Sequence, residues 1–346
     1  MGKSTTKDLA KAAGVSLATV DRVLNSRAGV RQATVERVQK TIEEIGFVRD
    51  LAAANLARSK EYRLVFLLPD HDDEFIDLVR AAIAEANISM AHERTILSII
   101  RVSSNDPHQI AQALDDLSPG QVDGVAVMAP ETPQTRDSIA RLDARGIAVV
   151  AFVSHQPTAE SAYYVGINNE AAGRTVGQLM ARFTGERQGA VLVFTETMQS
   201  RDSQERRLGL DTIMAKYAPR LNVRPSMESY GDPVRAAKVV KTALENQPNV
   251  VGIYLMNHDI HEIMQAIEVE VDSQQTVIIG HELTPHTREF LQKGMMDAVI
   301  TQDVGHLVRS SIRLLRAKTT QTGTVASQER IRVEIILREN MPEGTR

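Results

Sequence analysis

Thr5-Thr6-Lys7-Asp8-Leu9-Ala10-Lys11-Ala12-Ala13-Gly14-Val15-Ser16-Leu17-Ala18-Thr19-Val20-Asp21-Arg22-Val23-Leu24-Asn25 is the stretch on which the reading of this chain turns. It reads as two short helices joined by a tight turn. Thr5 caps the first helix, with Asp8 three residues on as its reciprocal partner. Gly14 falls where the helix must stop and φ becomes positive. Ser16 caps the second helix. Leu9, Ala10, Ala13, Val15, Val20, Val23 and Leu24 supply the apolar faces that hold the pair together. Leu17, Ala18, Asp21, Arg22 and Asn25 share the opposite face of the second helix, which cannot be core. That is the layout of a helix-turn-helix, whose second helix enters the major groove of DNA. A helical hairpin that merely packs would leave Arg22 and the small residues beside it unexplained.

A loop, Ser26–Arg31, follows, and then a third helix from about Ala33 to Glu44. Val35, Val38, Ile42 and Ile45 recur at helical spacing and close a small three-helix core, with Gly46 at its end. These residues resemble the LacI family of transcriptional regulators. The resemblance is carried by Asp8, Ala10, Ala13-Gly14-Val15-Ser16, Thr19-Val20, Arg22-Val23 and Asn25, then Thr34, Val38 and Leu56-Ala57. It implies that Ser16, Thr19, Asn25 and Thr34 meet phosphates, that Leu17, Ala18 and Arg22 read bases, and that Thr5 too belongs to the DNA-binding set. It also implies that Leu51–Arg58 is a hinge helix lying in the minor groove, with Ala53 against DNA and Leu56 wedged between base steps. Three departures stand out. Arg31 replaces the usual capping Ser or Thr, Arg49-Asp50 replaces Pro-Asn before the hinge, and Asp21 replaces a Ser or Thr.

The bulk numbers agree with such a protein. At 346 residues the chain suits two or three compact units. Residues 1–60 carry 11 Lys and Arg against 6 Asp and Glu, and the remainder 29 against 38. A basic segment on an acidic body fits one part that meets phosphate and one that does not. There is no Cys, so no disulfide or thiolate metal site. No run of 18 apolar residues and no apolar leader occur, so a cytoplasmic protein without a membrane partner is expected.

From Tyr62 the texture changes to alternating strands and helices, the mark of α/β architecture with parallel sheets. Strands are expected at about Arg63–Leu68, Leu97–Val102, Val122–Met128 and Ile147–Val153. A second series follows at about Ala190–Thr195, Val223–Tyr230, Val250–Met256, Val277–Gly280 and Ala298–Thr301, and Arg330–Leu337 returns to the second lobe. Two lobes of this kind resemble the type I periplasmic sugar-binding fold that the LacI family uses as its sensor. Asn168-Asn169-Glu170-Ala171-Ala172-Gly173 fits the family's Asp-Asn-x-x-Ala-Gly segment. The expected division is residues 1–47 for the helix-turn-helix, 48–60 for the hinge and 61–346 for the sensor. Within the sensor the first lobe takes about 62–163 plus 293–322, and the second about 164–292 plus 323–340.

Ligands of open α/β sheets bind beyond the carboxyl ends of the strands. Sugars and polyols want carboxylates, amides, a forked guanidinium and an aromatic ring. Asp73, Phe75, Arg206, Asn257, Glu282 and Gln302 supply these groups from separate strand ends, and Ser154-His155 stands where sugar binders commonly have Asp-Arg. Arg206 has the Arg-x-x-Gly spacing to Gly209 seen in the family's hydroxyl-clamping arginine. His258 and His261 lie three apart, with His281-Glu282 further on, but helix-start histidines facing a cleft or solvent are the simpler reading. Neither metal nor cofactor is expected. No Gly-rich phosphate loop, Gly-x-Ser-x-Gly elbow or His-Glu-x-x-His motif occurs, so the chain reads as no enzyme. The expectation is a repressor, a homodimer or higher homo-oligomer on a two-fold double-stranded DNA operator, controlled by a small sugar-like or polyol effector. A sugar-binding protein of a transport system is the alternative.

Overall fold

A computed structural model describes residues 5–24, 29–47, 61–71, 73–103, 105–156, 163–257 and 260–343, which fall into two compact units, Met1–Glu61 and Tyr62–Arg346. The first unit contains α1 (Thr6–Ala13), α2 (Leu17–Leu24) and α3 (Gln32–Glu44). Leu9, Ala10, Ala13, Val20, Val38 and Phe47 form its buried core, with Val15, Val23, Leu24, Ile42 and Ile45 packed against it. Val35, expected in this core, is only half-buried. Phe47, the last residue of the unit as read from the sequence, is buried there. Arg31 takes the N-cap position of α3 with extended backbone and makes no side-chain capping bond. Asn25, the hinge segment with Ala53 and Leu56, and Arg49-Asp50 lie outside the described residues.

The second unit opens with β1 (Tyr62–Pro69), α4 (Glu74–Met90), β2 (Thr95–Val102) and α5 (Pro107–Asp115). It continues through β3 (Gly124–Val127), α6 (Pro133–Ala144), β4 (Ala148–Phe152) and β5 (Tyr163–Val165). These strands form one parallel sheet in the order β2-β1-β3-β4-β5. β1 is buried at every position except Arg63, because helices cover both faces. Its period-2 alternation divides the core. Val65 and Leu67 face the cluster beneath α5 and α6, whereas Leu64, Phe66 and Leu68 join the cluster of α4. Phe66 meets Phe152 edge to face at 5.4 Å.

The second series runs α7 (Asn169–Phe183), β6 (Gly189–Thr195), α8 (Arg201–Tyr217), β7 (Leu221–Glu228), α9 (Pro233–Asn246) and β8 (Val250–Leu255). Next come α10 (His261–Glu270), β9 (Val277–His281), α11 (Pro285–Gln292), β10 (Ala298–Thr301), α12 (Val304–Thr320), α13 (Ala326–Glu329) and β11 (Glu334–Ile336). The sheet order is β11-β10-β9-β8-β6-β7, and β11 alone of these pairs antiparallel, on β10. β10 therefore lies in the second sheet, while α12 packs on α4, β3 and β4 of the first lobe. The chain returns to the first lobe after Thr301, later than the boundary at 293 read from the sequence. A four-residue buried strand gives no local sign of which sheet it joins.

Many of these helices start on a side chain that accepts backbone N–H groups: Asp73, Asp106, Thr132, Asn168, Ser200, Asp232, Thr284 and Asp303. Each ends the preceding strand-to-helix loop in a defined direction, which fixes where the strand-end residues point.

Candidate functional site

The first candidate surface is the exposed side of α1–turn–α2. Thr5 Oγ1 accepts from the Asp8 amide at 3.3 Å, and the Asp8 carboxylate takes the Thr5 N–H at 2.8 Å. The Thr5 hydroxyl also donates to that carboxylate at 2.6 Å, and this bond, followed by the Thr5 N–H, holds the Asp8 carboxyl below its ordinary range. Gly14 stops α1 in the left-handed region at φ 64°, and its N–H returns to the Ala10 and Lys11 carbonyls. Ser16 Oγ accepts the Thr19 amide at 3.1 Å and shares a 2.9 Å bond with the Thr19 hydroxyl. With both ends of the turn fixed, α2 buries Val20 and turns Leu17, Ala18 and Arg22 to solvent. Leu17 is 49% exposed. An apolar side chain left out of the core on the same face as Arg22 suits contact with thymine methyls beside a guanine-reading guanidinium. Thr19 and Thr34 are half-buried.

The second candidate is a cavity of about 380 Å³ between the two lobes of the sensor. The first lobe contributes Asp70, His71 and Asp73 after β1, and Ser103 and Asn105 after β2. From the second lobe come Glu196, Thr197 and Gln199 after β6, Ser229, Tyr230 and Asp232 after β7, Asn257 after β8, and Glu262 on α10. Asp73 is buried and caps α4 through Oδ1, accepting the Phe75 amide at 2.7 Å and the Ile76 amide at 3.2 Å. Its Oδ2 lies 3.8 Å from His71 Nε2. The Asp73 carboxylate beside it raises the His71 pKa from its ordinary 6.5, against a smaller opposing effect of burial. Asn257 is 2% exposed. Its Nδ2 donates to Ser229 Oγ at 3.0 Å, and its Oδ1 has no hydrogen-bond partner.

Of the sequence-derived set, Asp73 and Asn257 line this cavity. Phe75, Glu282 and Gln302 line a neighbouring one of about 310 Å³. The Glu282 carboxylate is buried and accepts from Thr301 Oγ1 at 3.1 Å and Gln302 Nε2 at 2.9 Å, while Gln302 Oε1 has no partner. The Phe75 ring also packs into the core cluster of α4. Arg206 is buried on α8 and donates through Nε to Asn169 Oδ1 at 2.9 Å; Asn169 in turn donates to Asp202 at 3.1 Å. His155 lines a third cavity beside Tyr164, the two rings edge to face with centroids 4.7 Å apart. Ser154 sits on the turn after β4, its N–H bonded to the Phe152 carbonyl.

His281, adjacent to Glu282, is fully buried with Nε2 2.6 Å from the Tyr254 hydroxyl, and burial pushes that phenol well up, so it stays neutral. His261 stacks on His286 at 4.2 Å; His258 lies outside the described residues. Sequence reasoning extended β7 to Tyr230 and so missed the loop Ser229–Asp232 as cavity wall. The strand stops at Glu228 because Tyr230 and Gly231 both take positive φ, 57° and 72°, which no strand accommodates. The Tyr-Gly-Asp-Pro run is the turn signal that marks it.

Comparison with known proteins decides what these two surfaces belong to. The family described as "Bacterial regulatory proteins, lacI family" matches residues 5–50, and "Periplasmic binding protein domain" matches residues 64–322. The chain belongs to the LacI family of regulators. This LacI-family regulator binds DNA through its helix-turn-helix and is a transcription regulator, not an enzyme. It is 26% identical over 258 residues to the maltose regulon regulatory protein MalI of Escherichia coli, spanning 75% of this chain and 73% of MalI. It is 29% identical over 136 residues to the ribitol operon repressor of Klebsiella aerogenes, 38% of this chain and 49% of that protein. In fold, the regulator's sensor is similar to GanP, a glucose-galactose binding protein from Geobacillus stearothermophilus. That likeness has a TM-score of 0.71 at 20% identity and covers 82% of this chain and 99% of GanP. Among the described residues no helix is long and apolar enough to cross a membrane.

Proposed function

We propose that this regulator is a repressor whose operator affinity is set by a small polyhydroxylated effector bound between the two lobes of its sensor. One observation carries the reading: the interlobe cavity is lined from five strand ends by hydroxyls, amides and carboxylates, with the buried Asn257 Oδ1 left without a donor. A buried acceptor without a partner costs about 1–3 kcal/mol. A ligand hydroxyl or N–H that fills it is bound in part by relieving that cost. The names of the relatives, one a maltose regulon protein and one a ribitol operon repressor, support the same ligand chemistry.

In this reading Asp73 and Asn257 are direct contacts. Phe75, Glu282 and Gln302 form the adjoining wall, and Arg206, Ser154 and His155 are not among the residues that line either cavity. Effector binding changes the angle between the lobes, and the change reaches the DNA-binding unit through the segment holding Ala53 and Leu56. Two copies of the chain present two helix-turn-helix units to a two-fold operator. Ser16, Thr19, Asn25 and Thr34 hold the phosphates, Thr5 lies in the same DNA-facing set, and Leu17, Ala18 and Arg22 read bases.

The test is a thermal-shift screen of the full chain with sugars, polyols and sugar phosphates, each hit then added to an operator-binding assay. A hit that raises Tm and weakens operator binding supports the reading. A hit that strengthens operator binding makes the effector a corepressor. Ligand turnover instead of stoichiometric binding would overturn it.

A further inference from the structure

We propose that the effector is a hydroxylated organic cation, an amino sugar or aminocyclitol bearing a protonated amine. The proposal rests on the cleft reading above and adds the sign of the ligand's charge. Five carboxylates line the cavity: Asp70, Asp73, Glu196, Asp232 and Glu262. Among its described lining residues there is no Lys or Arg. Asp73 and Asp232 each cap a helix and accept two backbone N–H groups, so part of their charge is offset at the helix end. Asp70, Glu196 and Glu262 approach from the end of β1, the end of β6 and the first turn of α10. Among the described lining residues His71 is the one group able to become cationic, and a single imidazolium does not balance the set. A phosphorylated or carboxylated sugar entering here meets like charge at close range.

The second observation is the polarity of the orphaned atom. Asn257 is 2% exposed and the group without a partner is its carbonyl oxygen, an acceptor. The site therefore lacks a donor, and an ammonium group is donor only. The frame that carries the amine follows from the rest of the wall. Ser103, Asn105 and Gln199 each carry groups that donate and accept, which suits hydroxyls. Tyr230, Pro233, Ala236 and Ile263 supply the apolar part of the wall, a ring and short aliphatic groups that suit the C–H face of a sugar ring.

The test measures binding of D-glucosamine, D-galactosamine, their N-acetyl forms, D-glucose, D-galactose, glucose 6-phosphate and putrescine to the full chain by titration calorimetry. An amino sugar is expected to bind, with its N-acetyl form at least about tenfold weaker, the size of one charge-assisted hydrogen bond. Glu262→Gln should weaken the amine about tenfold more than it weakens any neutral sugar, because Gln keeps the hydroxyl contacts and loses the charge. Neutral or anionic sugars binding as well as the amines would overturn the proposal, as would binding of no amine at millimolar concentration. Tighter binding of putrescine than of either amino sugar would overturn the hydroxylated frame. Asn257→Ala, checked for folding by circular dichroism, separates the two layers. Binding that is lost in Asn257→Ala yet indifferent to ligand charge leaves the cleft reading standing and removes this proposal. Binding untouched by both Asn257→Ala and Glu262→Gln places the ligand elsewhere and removes the cleft reading itself.

Discussion

At the scale of single residues, His71 is a reporter of the cleft. Its imidazolium is favoured by Asp73, so its folded pKa stands above the unfolded value near 6.5. The sign follows from linkage. The interaction stabilises the folded state fully below the unfolded pKa and is lost as pH rises through the folded pKa. The His71 side chain is about half exposed, so solvent screens the pair and the gain in stability is small. The titration itself is the better readout. In an NMR titration of the histidine Cε1–H signals, His71 should titrate above 6.5, and Asp73→Asn should bring it down. Asn still caps α4, so the change isolates the charge. A titration point indifferent to Asp73→Asn would remove the pair from the account. Arg22 allows a parallel test on the other surface. Arg22→Ala should cost about 1–3 kcal/mol at one base position and relax specificity there. Selection of binding sites from a random pool reads this directly, and an equal loss on every sequence would make Arg22 a phosphate contact.

At the scale of elements, α7 and α8 cross so closely that two glycines are required. A Cβ on Gly173 would lie 1.9 Å from the Arg206 carbonyl oxygen, and one on Gly209 would lie 2.2 Å from the Glu170 carbonyl oxygen. Both obstacles are backbone, which cannot swing aside. Gly173→Ala should therefore cost about 3 kcal/mol, the upper end of overpacking, and displace Arg206 from Asn169. Gly14→Ala is a contrasting case. Nothing lies within 4 Å of its Cβ, but φ is 64°, so the cost is strain alone, about 1 kcal/mol. Urea denaturation of both variants should show the larger loss at Gly173, and a reversed order would refute the crossing. The Arg206-x-x-Gly209 spacing, read from the sequence as part of a ligand clamp, is thus also a packing requirement. Legibility divides along the same line. The Thr5–Asp8 box, the stop at Gly14 and the Ser16 cap are local chemistry, and each stands where the sequence placed it; the longer strand runs do too, whereas β5 goes unread and β7 and β11 differ at their ends. What depends on distant partners was not legible. Nothing near β10 announces its sheet, and nothing near Glu282 says that Thr301 and Gln302 occupy its carboxylate. The role of Glu196 and Glu262 as cleft walls depends in the same way on the assembled second lobe.

At the scale of the whole molecule, a cationic DNA-binding segment and an anionic sensor share one chain. Operator affinity should fall linearly in log–log plots against salt, because Lys and Arg displace condensed counterions from the phosphates. The effector, if cationic, should also lose affinity with salt but less steeply, since it is held in a partly enclosed cleft. The lobes are joined across that cleft by a defined contact. His286 on α11 places Nδ1 2.9 Å from Glu74 Oε1, and its amide donates to Glu74 Oε2 at 3.3 Å, so α4 of one lobe is tied to α11 of the other. A contact that spans both lobes belongs to one lobe angle and weakens at another, so it biases the equilibrium that the ligand also biases. Glu74→Gln retains the shape and removes the charge. It should shift the population away from the arrangement seen here and weaken effector binding without touching the cavity wall. Coupling between sites is reciprocal. If the effector loosens the operator, saturating operator must weaken the effector by the same factor in both wild type and variant. Paired titrations, effector with and without operator, measure both quantities. A Glu74→Gln protein with unchanged effector affinity would show that the bridge sits on an element the switch does not use.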